Sequence, residues 1–187
     1  MFGVLISALT LVTLGSIAIF TGAVPSPLDR GFTTAAPDAG SKYPPAPCPP
    51  GGTLAPAYGS VQVTVLNATK RAGLATETAR ALAGRGFVIV ATRNSPTTVT
   101  GTAEIHFGSA GLAAAYTLAG QLKSPTLVLD ARTGTTVDLA VGQAFSAPLD
   151  AGKTTAPGTA LVGVDGCVPL ADAVPVPAAT SATPAAG

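Results

Sequence analysis

Charge is scarce in this sequence: Asp, Glu, Lys and Arg make up 10% of 187 residues, and the formal net charge is +1. A nucleic-acid partner would call for a concentrated basic excess that neutralises phosphates, so that class of function is excluded. Histidine occurs once, at His106, and the two cysteines, Cys48 and Cys167, stand far apart in no CxxC. Zinc sites and thioredoxin-like pairs need ligands or thiols at short spacing, so neither is expected, nor any other metal or cofactor. There is no tryptophan, and no GxSxG, GxGxxG, P-loop or HExxH pattern. Gly108-Ser109-Ala110-Gly111 falls short of the first of these, and Ser109 is better used as a helix cap.

What the chain does have begins at once. Phe2 to Val24 is a run of 23 residues without a charge. As a helix at about 1.5 Å per residue it reaches roughly 34 Å, enough for a hydrocarbon core of about 30 Å. A cleaved signal peptide would have a shorter apolar stretch behind a basic start, although Thr21-Gly22-Ala23 resembles a cleavage site. The expectation is an uncleaved single-span anchor over 2–24, an integral attachment to the membrane. Gly15, Ser16 and Gly22 would let another helix approach it closely.

Residues 25–57 follow as a linker in which nine of 33 residues are proline. Proline has no amide donor and favours extended backbone, so this segment is expected to act as a semi-rigid spacer. Residues 171–187 are rich in Ala and Pro and read as a disordered tail. The domain is therefore expected over 58–170. Cys48 and Cys167 flank it, which suits a disulfide in an oxidising compartment; the alternative is two unrelated buried thiols. A bridge would put the domain outside the cytoplasm and the N-terminus inside.

Within the domain the periodicity changes type repeatedly. Val61, Val63 and Val65 alternate with Gln62 and Thr64, a half-buried strand ending at Leu66-Asn67. A helix is predicted over 72–85, with Leu74, Ala75, Thr78, Ala81 and Leu82 inward, Thr69 near its start and Gly86 as its stop. Residues 87–91 are apolar on both faces and predict a central strand. Residues 103–107 predict a third strand and Ser109 a cap for a second helix with Leu112, Ala115, Tyr116, Ala119 and Leu122 as its stripe. Residues 126–130 and 137–141 predict two more strands, joined as a hairpin by Thr133-Gly134-Thr135, and 159–164 allows a short extra one. The order β-α-β-β-α-β-β predicts an α+β fold, a two-layer sandwich with both helices on one face of the sheet.

Two groups of side chains are candidates for function. Glu104 and His106 share a strand face and could form an acid/base pair, but a lone strand histidine is more often a solvated or satisfied polar group. Between Asn67 and Asn94 the bases Lys70, Arg71, Arg80, Arg85 and Arg93 face only Glu77. That asymmetry fits either an ordinary solvated helix face or a surface for an anionic ligand. Asn67, Lys70, Arg71 and Arg80 are the candidate binding residues, because a strand-to-helix turn also offers free backbone N–H groups to an anion.

The motifs Val63-Thr64-Val65-Leu66-Asn67-Ala68-Thr69, Gly73-Leu74-Ala75 and Leu82-Ala83-Gly84-Arg85-Gly86-Phe87-Val88-Ile89-Val90 resemble the C-terminal domain of the LytR/CpsA/Psr family. The late pair Leu127-Val128-Leu129-Asp130 and Val137-Asp138-Leu139-Ala140-Val141-Gly142 completes the resemblance, with Ala68 replacing the usual Gly. Anchor, spacer, single domain and flanking cysteines are together similar to actinobacterial envelope-integrity proteins of the Cei type. Full-length family members place a catalytic domain rich in Arg and Asp ahead of this one, and this chain has no room for it. The resemblance therefore implies a non-enzymatic accessory role in the cell envelope, binding an anionic wall polymer or other envelope proteins, with self-association possible. An enzyme acting on wall glycan or a lipid-linked precursor is the alternative; it would need paired carboxylates, and no spacing singles out two.

Overall fold

A computed structural model of the chain describes residues 42–178. The segment expected to span the membrane lies outside them, and among the described residues no helix is long and apolar enough to do so. Five strands and two α-helices form a mixed α+β domain: β1 Gln62–Asn67, α1 Leu74–Ala83, β2 Val88–Asn94, β3 Ala103–Phe107, α2 Leu112–Ala119, β4 Thr126–Leu129 and β5 Val137–Val141. The sheet order is β2-β1-β5-β3-β4. β1 pairs in parallel with β2, and β3 in parallel with β4, each through its own helix. β5 lies between these two units, parallel to β1 and antiparallel to β3.

Strand alternation decides which face is buried. Val63 and Val65 on β1, Ile105 and Phe107 on β3, and Val137, Leu139 and Val141 on β5 are fully buried in one cluster. Leu74, Ala75, Ala79 and Leu82 of α1 and Leu112, Ala115, Tyr116 and Leu118 of α2 join that same cluster. Both helices thus cover one face of the sheet, as predicted. On α1 the inward position is Ala79, whereas Ala81 is exposed, because the stripe advances from Ala75 by four residues.

Two strand assignments need correction. Residues 126–129 and 137–141 are not a hairpin, since β3 separates them. β5 is buried along nearly its whole length and takes the central place in the sheet. The connecting segment instead passes the turn after β3, where Gly108 has no side chain: a Cβ there would lie 2.0 Å from the Arg132 carbonyl oxygen. β2, expected to be central, is an edge strand with Val88 and Val90 exposed. Ile89 pairs with Val63 and Ala91 with Thr64, leaving Val90 as the extra residue of a bulge.

Helix starts also differ from expectation. Thr69 and Ser109 cap neither helix; Gly73, whose φ of +79° suits glycine, stands at the N-cap just before α1, and a 3₁₀ turn over Ser109–Gly111 leads into α2. Gly86, at φ +98°, does supply the left-handed residue after α1.

Both flanks of the core pack against it. The Val168 N–H donates to the Ala46 carbonyl and the Cys48 N–H to the Val168 carbonyl. The Tyr116 hydroxyl donates to the Pro47 carbonyl at 2.8 Å. Cys48 and Cys167 form a disulfide across a sequence separation of 119, with Cα atoms 5.1 Å apart. The short strand allowed over 159–164 is a bridge between Leu54 and Ala160. Residues 171–178, where the tail was expected to begin, are tied to the end of β4 by one parallel bridge between Val176 and Asp130: the Val176 N–H donates to the Leu129 carbonyl and the Ala131 N–H to the Val176 carbonyl.

Candidate functional site

Asn67 ends β1 and folds its amide inward rather than toward solvent. Its Nδ2 donates to the Arg71 carbonyl at 2.7 Å, and its Oδ1 accepts from the Thr69 N–H and hydroxyl. The side chain thus builds the turn, which is why Asn stands here. Arg71 is likewise committed: its Nη1 donates to the Phe145 carbonyl at 2.7 Å and ties the turn to the loop after β5. Arg85 binds the buried Gln121 and the Leu149 carbonyl. Of the basic group, Lys70, Arg80 and Arg93 are exposed and form no ion pair among the described residues.

A cavity of about 170 Å³ opens at the start of α1, lined by Asn67, Gly73, Ala75, Thr76, Arg93 and Asn94. The first N–H groups of a helix lack intrahelical partners and carry partial positive charge. Of the four predicted binding residues, only Asn67 lines this cavity; Lys70, Arg71 and Arg80 do not. Arg93 and Asn94 do line it. Arg93 was counted in the basic group, but neither it nor Asn94 was placed here, because the sequence pattern ended the second strand at Ala91, while β2 continues to Asn94 and pairs Asn67 with Asn94.

The second cluster lies on the sheet face away from the helices. Glu104 Oε2 accepts the Tyr43 hydroxyl at 2.8 Å and lies 3.2 Å from His106 Nε2, so the two side chains that share this face are in contact and the histidine is a satisfied polar group. Lys42 Nζ stands 3.7 Å from Glu104 Oε1, and the Tyr43 ring meets His106 edge to face at 5.9 Å. Burial opposes ionisation of Glu104, but hydrogen bonds from His106 and Tyr43, with the charge of Lys42, outweigh it and hold the carboxyl below its ordinary range. Burial also pushes the Tyr43 phenol up, keeping it a donor. Beside this cluster is a cavity of about 330 Å³, lined by Lys42, Tyr43, Glu104 and the threonines 98, 100 and 126.

Glu104 thus docks the segment entering the domain. Glu104→Gln should cost roughly 1–3 kcal/mol at pH 7, the usual range for hydrogen bonds to a charged group. A carboxyl held below its ordinary value of ~4.3 stabilises above that pH and ceases to as pH falls through its lower folded value. Urea midpoints should therefore separate the variant from the parent at pH 7 and draw together as the pH is lowered below the ordinary carboxyl range; a gap that stays constant would exclude the ionised Glu104 as the cause.

One row along the same face, Asp138 is paired with His106 across β5 and β3. Arg132 Nη2 bridges Asp138 at 2.8 Å and Asp130 at 2.7 Å, and the Arg132 Nε also donates to Asp130. Burial works against the guanidinium charge, but the two carboxylates prevail and hold Arg132 more firmly protonated than usual. No group of three or more His, Cys, Asp or Glu among the described residues is placed to hold a metal ion.

Residues 60–145 match the family described as LytR cell envelope-related transcriptional attenuator, LytR_C. No curated protein matches the chain. A crystal structure of the soluble domain of a conserved hypothetical secreted protein from Mycobacterium marinum is similar at 33% identity, covering 52% of this chain and 69% of that one, with a TM-score of 0.47.

Proposed function

Residues 60–145 of this chain form a LytR_C domain, and from that premise we propose that it is an accessory protein of the cell envelope, held outside the cytoplasm by its N-terminal segment. In this reading it is non-enzymatic and of the Cei type, and binds an anionic wall polymer. The disulfide between Cys48 and Cys167 supports an oxidising compartment. The observation that carries the binding role is Arg93, which lines the cavity at the start of α1 and, like the exposed Lys70 before that helix and Arg80 along it, has no carboxylate partner among the described residues. With so few charges in the chain, an Arg93 unpaired among the described residues beside the first N–H groups of α1 favours an anion there, and Lys70 and Arg80 add to the positive charge of this part of the domain.

Charge reversal tests this reading. Lys70, Arg80 and Arg93 changed together to Glu, with the structural Arg71 kept, should weaken binding to poly(glycerol phosphate) at least tenfold. The residual binding should depend less steeply on salt. Unchanged affinity would return these residues to simple solvation. A reporter fused at the C-terminus should be active only outside the cytoplasm.

An enzyme acting on wall glycan or a lipid-linked precursor is favoured only by the Glu104–His106 contact. Its neighbour Asp138 is held by Arg132, so among the described residues it offers no second free carboxylate beside Glu104. Turnover of labelled wall material abolished by Glu104→Gln would establish that alternative.

A further inference from the structure

We infer that the cavity of about 330 Å³ beside Glu104 is a second binding site, for one uncharged, hydroxyl-rich unit of a glycan. The inference rests on the wall-facing reading above, and uses a different part of the molecule.

The lining selects the ligand by elimination. Glu104 brings a negative charge and Lys42 a positive one, 3.7 Å apart. A free anion meets the ionised carboxylate and a free cation meets the ammonium, so neither is favoured. An apolar ligand would strip water from a carboxylate, an ammonium and several hydroxyls without replacing those hydrogen bonds. A neutral ligand carrying hydroxyls has none of these conflicts.

The available hydrogen-bonding groups match such a ligand. Glu104 Oε2 is committed to Tyr43 and His106, but the contact of Oε1 with Lys42 is too long for a hydrogen bond, leaving Oε1 as an acceptor. Thr98, Thr100 and Thr126 are exposed around the cavity, and their hydroxyls make no hydrogen bond to the protein. Each can donate and accept, as sugar hydroxyls do. Val99 lines the cavity and adds a small apolar surface for the C–H face of a sugar ring. His106 does not line the cavity; it holds the carboxylate in place, as a positioning residue. The volume lies at the small end of the range for small-molecule pockets, which suits one residue of a chain rather than a long segment.

The full chain in detergent micelles would be probed with neutral oligosaccharides built from glucose, galactose, arabinose and N-acetylglucosamine, with poly(glycerol phosphate) bound in parallel. At least one neutral oligosaccharide should bind. Thr100→Val with Thr126→Val should weaken it about tenfold or more, and Glu104→Ala should do so as strongly. The threonine pair is exposed, so its replacement leaves the fold intact and keeps the result interpretable. If no neutral oligosaccharide binds, or the threonine variant binds with parental affinity, this inference fails. Should the polyanion still bind in that case, the function proposed above stands without it. Neutral binding without polyanion binding would sink the charged-surface reading and leave this site in place.

Discussion

Removing the bridge between Cys48 and Cys167 should cost this domain about 4–5 kcal/mol in the chain-entropy treatment of a loop of this length. The bridge closes 119 residues of sequence, so nearly the whole core lies inside the loop. Cutting it frees the unfolded chain far more than the folded one, because the folded ends stay paired. Cys48 still donates to Val168, Val168 to Ala46, and Tyr116 to Pro47. The native fold should therefore survive reduction while its stability falls. Urea unfolding of the parent with and without reductant, beside Cys48→Ser/Cys167→Ser, measures the difference. The reduced parent and the double variant should coincide, at a clearly lower midpoint. Midpoints that do not move would mean that the unfolded chain keeps its ends close even without the bridge.

The parts of this fold that were legible are those governed by neighbours in sequence. Alternation at Val61, Val63 and Val65 marked β1, and the apolar stripe through Leu74, Ala75 and Leu82 marked α1. The positions of the strands relative to one another were not legible. Nothing in Val137–Val141 says that this strand inserts between β1 and β3, since that depends on pairing partners more than 30 residues away. The apolar run at Val88–Val90 looked central because alternation cannot tell a doubly covered strand from an exposed edge with a bulge. The Pro-rich entry read as a spacer for a similar reason. Its prolines lack donors, yet Cys48 between them still offers the N–H that joins the domain to Val168. Of the candidate sites, Glu104 and His106 were legible through their two-residue spacing. Tyr43 and Lys42, which complete that cluster, lie about 60 residues upstream in a segment without periodicity. The basic group was visible as a count, but a count does not distinguish Arg71 and Arg85, bound to carbonyls, from Lys70, Arg80 and Arg93.

Replacing Arg132 by Met is expected to destabilise the domain by about 3–5 kcal/mol, the usual loss when a buried ion pair loses one member. The Asp130 side chain is fully buried and Arg132 is its only charged partner among the described residues, reaching it through both Nε and Nη2. The backbone N–H of residue 132 also donates to Asp130 Oδ1, and the substitution leaves that bond in place. What is lost is the charge that offsets an ionised carboxylate with no access to water. Asp138 is more exposed and can be solvated, so the penalty should fall mainly on Asp130. A double-mutant cycle separates these contributions. Asp130→Asn in the parent removes one partner of a good pair and should destabilise; added to Arg132→Met, it removes the isolated charge and should recover part of the loss. Urea midpoints of the four proteins supply the test. If Asp130→Asn lowers the stability of Arg132→Met as much as it lowers the parent's, the two side chains act independently. The bridge would then be a consequence of the turn after β4 rather than a cause of it.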